Sequence, residues 1–165
     1  MNSKLQFLMN FILPFIPETS LFSLKSKMYS WMGVKLGGNV RICSSLRVRG
    51  IGNLNIGANT WVGHDCRIIS TSMVHIGKNV DIAPNVLMTT GTHSVDITGE
   101  RVAGEGKSED IIIGDGTWIA SSVTILPGSV IGEKSLVAAG AVVRGVFPPG
   151  VLIGGVPAKI IKNLN

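Results

Sequence analysis

From Ile113 to Val143 the chain places an aliphatic residue at every sixth position: Ile113, Ile119, Ile125, Ile131, Val137 and Val143. Four residues after each of the first five comes Thr117, Val123, Ser129, Ser135 or Ala141, and glycine follows the aliphatic residue directly at Gly114 and Gly132. A step of six is three strand periods of two, so each unit supplies a short strand with one residue inward and then a turn. Three such strands close a triangle. Stacked triangles form a parallel β-helix, an all-β fold whose aliphatic column fills the prism. An amphipathic helix would need apolar residues three and four apart, which this run lacks.

The same step runs through Leu36, Ile42, Val48 and Leu54, then Ile56, Val62, Ile68 and Val74, then Ile76, Ile82 and Met88. Each two-residue jump between runs is expected to be a longer corner. The count predicts about five coils, a prism roughly 25 Å tall at a strand spacing of ~4.8 Å. Between Met88 and Ile113 the step stops. The glycine-rich, charged segment TTGTHSVDITGERVAGEGKSED reads as a loop over about residues 90–110, extruded from a corner onto the working face.

Residues 1–33 lie outside the pattern. A dense apolar run over 4–16 is broken by Asn10 and Pro14, and a second short helix is expected over 21–32, with Ser20 as its cap and Gly33 beyond its end. At the other end, Pro148 and Pro149 are expected to end the coil, and PAKIIKN to form a short basic helix. The resulting division is an N-terminal helical segment (1–33), a β-helix domain (34–155) and a basic tail (156–165).

Composition and charge narrow the partners. Glycine, 21 of 165 residues, suits a fold that turns every six residues. Only 15% of residues are charged, as expected where flat sides face neighbouring copies. Net charge is +5, and up to residue 80 nine Lys or Arg stand against Glu18 and Asp65 alone. With one tyrosine and no basic cluster interleaved with aromatics, no nucleic acid is expected. An anionic membrane surface or a phosphorylated ligand fits better. The N-terminal apolar run is too short to span a bilayer, and IPETSLFS is a poor leader-cleavage site. It reads either as a cap over the open end of the solenoid or as a peripheral membrane contact through residues 1–33.

The hexads, the loop beginning GTHSVD and the ending GGVPAKII together resemble the hexapeptide-repeat acyltransferases, over about residues 34–162. Within these the chain is most similar to the galactoside, maltose and xenobiotic acetyltransferases and the bacterial O-acetyltransferases of surface polysaccharides. The resemblance implies a left-handed parallel β-helix, a homotrimer, and acetyl-CoA held in the groove between subunits. It implies a cytoplasmic enzyme, on the inner face of the plasma membrane if residues 1–33 touch it, that acetylates a sugar hydroxyl of a surface polysaccharide or its lipid-linked precursor. Transfer to a small free sugar or amino sugar is the alternative, and a non-catalytic scaffold the rival outside enzymes. The γ-class carbonic anhydrases share the hexads but need three zinc histidines; the three here, His64, His75 and His93, have the wrong spacing, and no metal is expected.

His93 matches the family's catalytic histidine. A neutral imidazole is also a suitable base for acetyl transfer near neutral pH. Asp96 or a backbone carbonyl would orient it. By family position, the oxyanion donor would be the backbone N–H of Ala120 or Ser121. His64 and Asp65 fall in the acceptor-binding strip, where the family commonly has asparagine and this chain has Gly63, His64 and Asp65. His75 is expected at a corner, in solvent. Trp118, Ala120 and Ala139 match positions lining the pantetheine arm. Arg144, Lys159 and Lys162 would meet the phosphates, although arginine is frequent where Lys159 stands. Cys43 and Cys66 read as small core or corner residues in a reducing compartment.

Overall fold

The computed structural model describes residues 1–164, and its body is a parallel β-solenoid of three faces. The first face stacks six strands, Lys35–Leu36, Asn53–Ile56, Met73–Ile76, Ile111–Ile113, Val130–Ile131 and Val146–Phe147. The second stacks Arg41–Ile42, Trp61–Val62, Asp81–Ile82, Trp118–Ile119, Leu136–Val137 and Val151–Gly155, with a returning strand as its seventh member. The third has five, Arg47–Arg49, Arg67–Ile69, Leu87–Thr89, Thr124–Ile125 and Val142–Val143. The sixfold aliphatic column is the core: Ile42, Val62, Ile82, Ile119, Val137 and Ile153 are all buried on the second face alone.

Six coils form, not five, because Pro148 and Pro149 do not end the ladder. They turn a corner between Val146–Phe147 and Val151–Gly155, where no ladder N–H is required of them. Gly132 stands opposite on the preceding coil, where a Cβ would lie 2.3 Å from the Pro149 nitrogen. The two-residue jumps are also not corners. Leu54 and Ile56 lie on one four-residue strand and are both buried, as are Val74 and Ile76 on the next. Residues two apart on a strand share a side, so on these coils the first face sends two aliphatics inward. His75 therefore stands mid-strand rather than at a corner, and is exposed.

Corners are built by residues in the left-handed region. Asn39, Asn59 and Asn79 (φ +56°, +59° and +54°) stack at one edge, and each side-chain amide donates to the next asparagine's oxygen, at 3.0 and 3.3 Å. Asparagine adopts this conformation more readily than most residues, and here its side chain also ties the coils together.

Helix α1 (Ser3–Ile12) and helix α2 (Phe22–Trp31) cover the first coil. Asn2 caps α1 by accepting from the N–H groups of Lys4 and Leu5. The expected Ser20 cap on α2 is absent: Leu21 holds that position at φ +51°, with no side-chain bond to the helix. Neither helix is long and apolar enough to cross a membrane.

The C-terminal segment is a strand, not a helix. Ala158–Asn163 pairs antiparallel with Val151–Gly155 and covers the last edge of the second face. Its β-branched pair explains the outcome, since Ile161 packs on Gly154, where a Cβ would meet Ile161 Cδ1 at 2.7 Å.

Candidate active site

The segment expected to be a loop is a β-hairpin, Gly91–Val95 paired antiparallel with Ala103–Ser108. Its foot is pinned by hydroxyls: Thr71 Oγ1 lies 2.6 Å from Ser108 Oγ, and buried Thr90 Oγ1 accepts the Thr71 N–H at 2.8 Å. Its tip is an Asp96 turn, in which one carboxylate oxygen accepts from Thr98 N, Thr98 Oγ1 and Gly99 N, each at 2.9 Å. These bonds hold the Asp96 carboxyl below its usual range. Asp96 is thus committed to its own turn and does not orient His93.

His93 lies on the outgoing strand opposite Gly106, exposed, with no side-chain hydrogen bond among the described residues. The missing side chain at Gly106 leaves room beside the ring: a Cβ there would be 3.9 Å from Nε2.

Most of the other candidates fall on the edge between the second and third faces. Asp65, Asn85, Ser122 and Gly140 occupy its left-handed positions (φ +55°, +62°, +61° and +72°). Ala120, Ser121 and Ala139 flank them. The Ala120 N–H already donates to Val137 O at 3.0 Å as part of the ladder, so it is not free to stabilise an oxyanion. The Ser121 N–H has no acceptor among the described residues, while its carbonyl accepts from Gly140 N at 3.0 Å. Asp65 is exposed, and its N–H donates to Ser45 Oγ at 2.8 Å.

His64 turns toward the helical segment. Its ring, the Glu18 carboxylate and the buried Cys43 thiol have ligand-capable atoms within 4.8 Å of one another. A cation already serves this region: buried Lys25 Nζ donates to Glu18 O at 2.6 Å, Pro17 O at 3.3 Å and Ser44 Oγ at 3.3 Å. Burial lowers the Lys25 pKa, against the opposing influence of Cys43 and Glu18. Glu18 also accepts from Ser45 N and Oγ, both at 3.1 Å. Lys25 and Glu18 were not readable as site neighbours from spacing, because their contacts run across the chain entry into the first coil.

The cofactor candidates divide. Trp118, half exposed, lies on the second face, in the sheet that also carries Lys159 and Lys162 on its returning strand. Arg144 instead follows the last strand of the third face and acts on Glu109 near the hairpin foot. The hairpin leaves the solenoid at the edge between the third and first faces. In a triangular prism that edge is opposite the second face, so His93 and Trp118 stand on opposite sides of one copy.

Residues 110–145 match the bacterial transferase hexapeptide family model (six repeats). The galactoside O-acetyltransferase of Escherichia coli K12 is 40% identical over 68% of this chain and 55% of its own length. An E. coli K12 protein provisionally named the lipopolysaccharide biosynthesis O-acetyl transferase WbbJ is 35% identical over 65% and 59%. A Dictyostelium discoideum protein, provisionally named an acetyltransferase, is 37% identical over 78% and 67%. The chain thus spans little more than half the length of the first of these relatives. Among solved structures, the hexapeptide-repeat acetyltransferase VCA0836 of Vibrio cholerae, complexed with acetyl-CoA, superposes with a TM-score of 0.69 at 25% identity, over 99% of this chain and 87% of that one. The repeat, the hairpin that interrupts it and these likenesses agree: the chain belongs to the hexapeptide-repeat acetyltransferases.

Proposed function

We propose that the protein is an acetyl-CoA-dependent O-acetyltransferase acting on a sugar hydroxyl of a surface polysaccharide or its lipid-linked precursor, on the cytoplasmic side of the membrane. The observation that carries this reading is His93, exposed on a pinned hairpin with neither ring nitrogen hydrogen-bonded among the described residues. The names of the E. coli relatives support a sugar acceptor and O-transfer.

His93 takes the proton from the acceptor hydroxyl as its oxygen attacks the thioester carbonyl. The oxyanion formed accepts from the Ser121 N–H, the unengaged donor on the corner column. Collapse breaks the carbon–sulfur bond, and the proton held by His93 passes to the departing CoA sulfur, leaving the acetyl ester and free CoA. Asp65 and His64 contact the acceptor. Trp118 and Ala139 line the pantetheine arm, and Lys159 and Lys162 meet the phosphates, with Arg144 joining from a neighbouring copy.

A homotrimer fits this reading, because the hairpin that carries His93 leaves the prism at the edge opposite the face that bears Trp118. The hairpin tip exposes Val95, Ile97 and Val102, apolar side chains that a neighbouring copy would cover. The test is release of CoA thiol from acetyl-CoA in the presence of a panel of galactosides and other sugars. His93→Ala is expected to lower turnover about 10²–10⁴-fold with the fold intact, and an unchanged rate overturns the assignment.

A further inference from the structure

Three cavities along the third face share the same arginines. One, of about 250 Å³, is lined by Ser45, Arg47, Asp65, Arg67 and Asn85. A second lies among Arg47, Arg49, Arg67 and Ile69. The third, of about 390 Å³, opens between Arg47, Arg49 and the Phe7, Asn10 and Phe11 side of α1. Arg47 borders all three, so they form one track from the Asp65 corner to the N-terminal helix.

No carboxylate pairs with the charge along this track among the described residues, and Arg47 Nη1 donates to the Ser44 carbonyl at 3.4 Å. Arg47 and Arg67 are direct partners on adjacent parallel strands, an arrangement in which like charges repel. Neither they nor Arg49 form an ion pair among the described residues, although Asp65 borders the same cavity. A phosphate accepting from these guanidinium groups would relieve the repulsion, and arginine forks suit that geometry.

Helix α1 sends Leu5 and Met9 onto the core and carries a second apolar stripe away from it. Gln6 and Asn10 face the protein and bond its backbone, while Phe7 and Phe11 on the helix, and Phe15 just beyond its end, point outward with 81%, 66% and 78% of their surface exposed. An aromatic stripe beside an arginine ladder fits an amphiphile with an anionic head and an apolar tail.

We propose that this track binds an acceptor whose sugar is joined through a diphosphate to a lipid chain. The sugar lies at Asp65 and Asn85, the diphosphate at Arg67, Arg47 and Arg49, and the lipid along Phe7 and Phe11. This deepens the O-acetyl transfer reading and rests on its placement of the acceptor at the Asp65 corner.

The experiment is calorimetric titration of the full chain with farnesyl diphosphate as probe, alongside inorganic pyrophosphate and farnesol. Farnesyl diphosphate is expected to bind at least about tenfold more tightly than either half. Arg47→Gln and Arg67→Gln should each weaken it about tenfold, and Phe7→Ser with Phe11→Ser should weaken it similarly while sparing pyrophosphate. Thermal unfolding of each variant excludes misfolding as the cause. Pyrophosphate binding as tightly as the full probe, or probe binding indifferent to both sets of variants, overturns the proposal. So does sedimentation with phosphatidylcholine–phosphatidylglycerol vesicles that farnesyl diphosphate does not compete, which would mark a membrane-docking face alone. Because the titration needs no acetyl-CoA, failed binding beside active transfer to soluble sugars sinks the track only. Retained binding beside absent transfer sinks the catalytic reading.

Discussion

Asn10 closes the open backbone of Val48. Its side-chain amide donates to the Val48 carbonyl at 2.9 Å, and its oxygen accepts the Val48 N–H at 3.4 Å. Val48 lies on the edge strand of the third face, and Gln6 does the same for the Gly50 carbonyl at 2.6 Å. Two polar side chains of α1 thus replace the neighbouring strand that the first coil lacks.

Replacing Asn10 with leucine should therefore destabilise the protein despite the apolar setting. Each backbone group of Val48 left unpaired costs about 1–3 kcal/mol. At about 2–4 °C per kcal/mol for a chain of this size, the midpoint of thermal unfolding should fall by at least about 4 °C. The uncovered edge should also promote association, visible in light scattering. An unchanged midpoint would mean that water replaces the asparagine without cost.

Neighbouring glycines should respond in opposite ways. A Cβ on Gly37 would lie 2.4 Å from the Ala58 nitrogen and 2.8 Å from its Cα, both backbone atoms that cannot rotate away. Gly37→Ala should cost about 2–3 kcal/mol, as overpacking does. Nothing lies within 4 Å of the same position on Gly38. Gly38→Ala should be neutral, or stabilise by up to about 1 kcal/mol through the unfolded chain. Denaturant melts of the two variants against the parent check both signs.

The coil was legible because it rests on a period. A side chain every sixth residue must point inward whatever its neighbours do, and Ile119, Ile125 and Ile131 are all buried as that rule requires. What lay at the ends was less legible, because there tertiary contacts override local signals. PAKIIKN has helical and strand tendencies in near balance, and the free edge of Val151–Gly155 decides for the strand. Pro148 and Pro149 look like terminators until the glycine opposite them, Gly132, shows a corner shaped to receive them. The arginine ladder was hidden for another reason: Arg47 and Arg67 are 20 residues apart in the chain and become partners only through the coil's register.

Stability should fall in alkali. Burial pushes the Cys66 thiol up to about 11, against a bond to backbone that lowers it, and the thiol donates to Ala83 O at 3.3 Å. Burial also raises Cys43, with Glu18 adding to the effect, and raises Tyr29, whose hydroxyl donates to Leu46 O at 3.2 Å. A thiol raised in the folded state favours folding below its ordinary value of 9.0, and that contribution is lost as pH climbs toward 11. For Cys66 alone, a shift of about two units corresponds to roughly 2–3 kcal/mol. Lys25, lowered by burial, works in the opposite sense and offsets part of the loss. Unfolding midpoints between pH 7 and 11 should hold to about 9 and then decline, with a shallower decline in Cys66→Ala. A midpoint that stays flat to pH 11 would contradict the buried-thiol account.

Placement of His93 and Trp118 on opposite sides of the prism predicts complementation between copies. On the proposed mechanism His93→Ala lacks the base and Trp118→Ala lacks a wall of the pantetheine groove, so each should be severely impaired alone. Unfolded and refolded together, or co-expressed, the two variants mix within one oligomer. If each active site takes His93 from one subunit and Trp118 from the next, a site is intact whenever a Trp118→Ala subunit supplies the imidazole and a His93→Ala subunit supplies the indole. In a random equal mixture each condition holds half the time, so about a quarter of parental CoA release should return. If instead one chain supplied both groups to the same site, every site in the mixture would carry one lesion and nothing would be recovered. The same mixture made from separately assembled oligomers, combined without unfolding, should stay impaired, which ties any recovery to subunit exchange and not to residual activity of either variant.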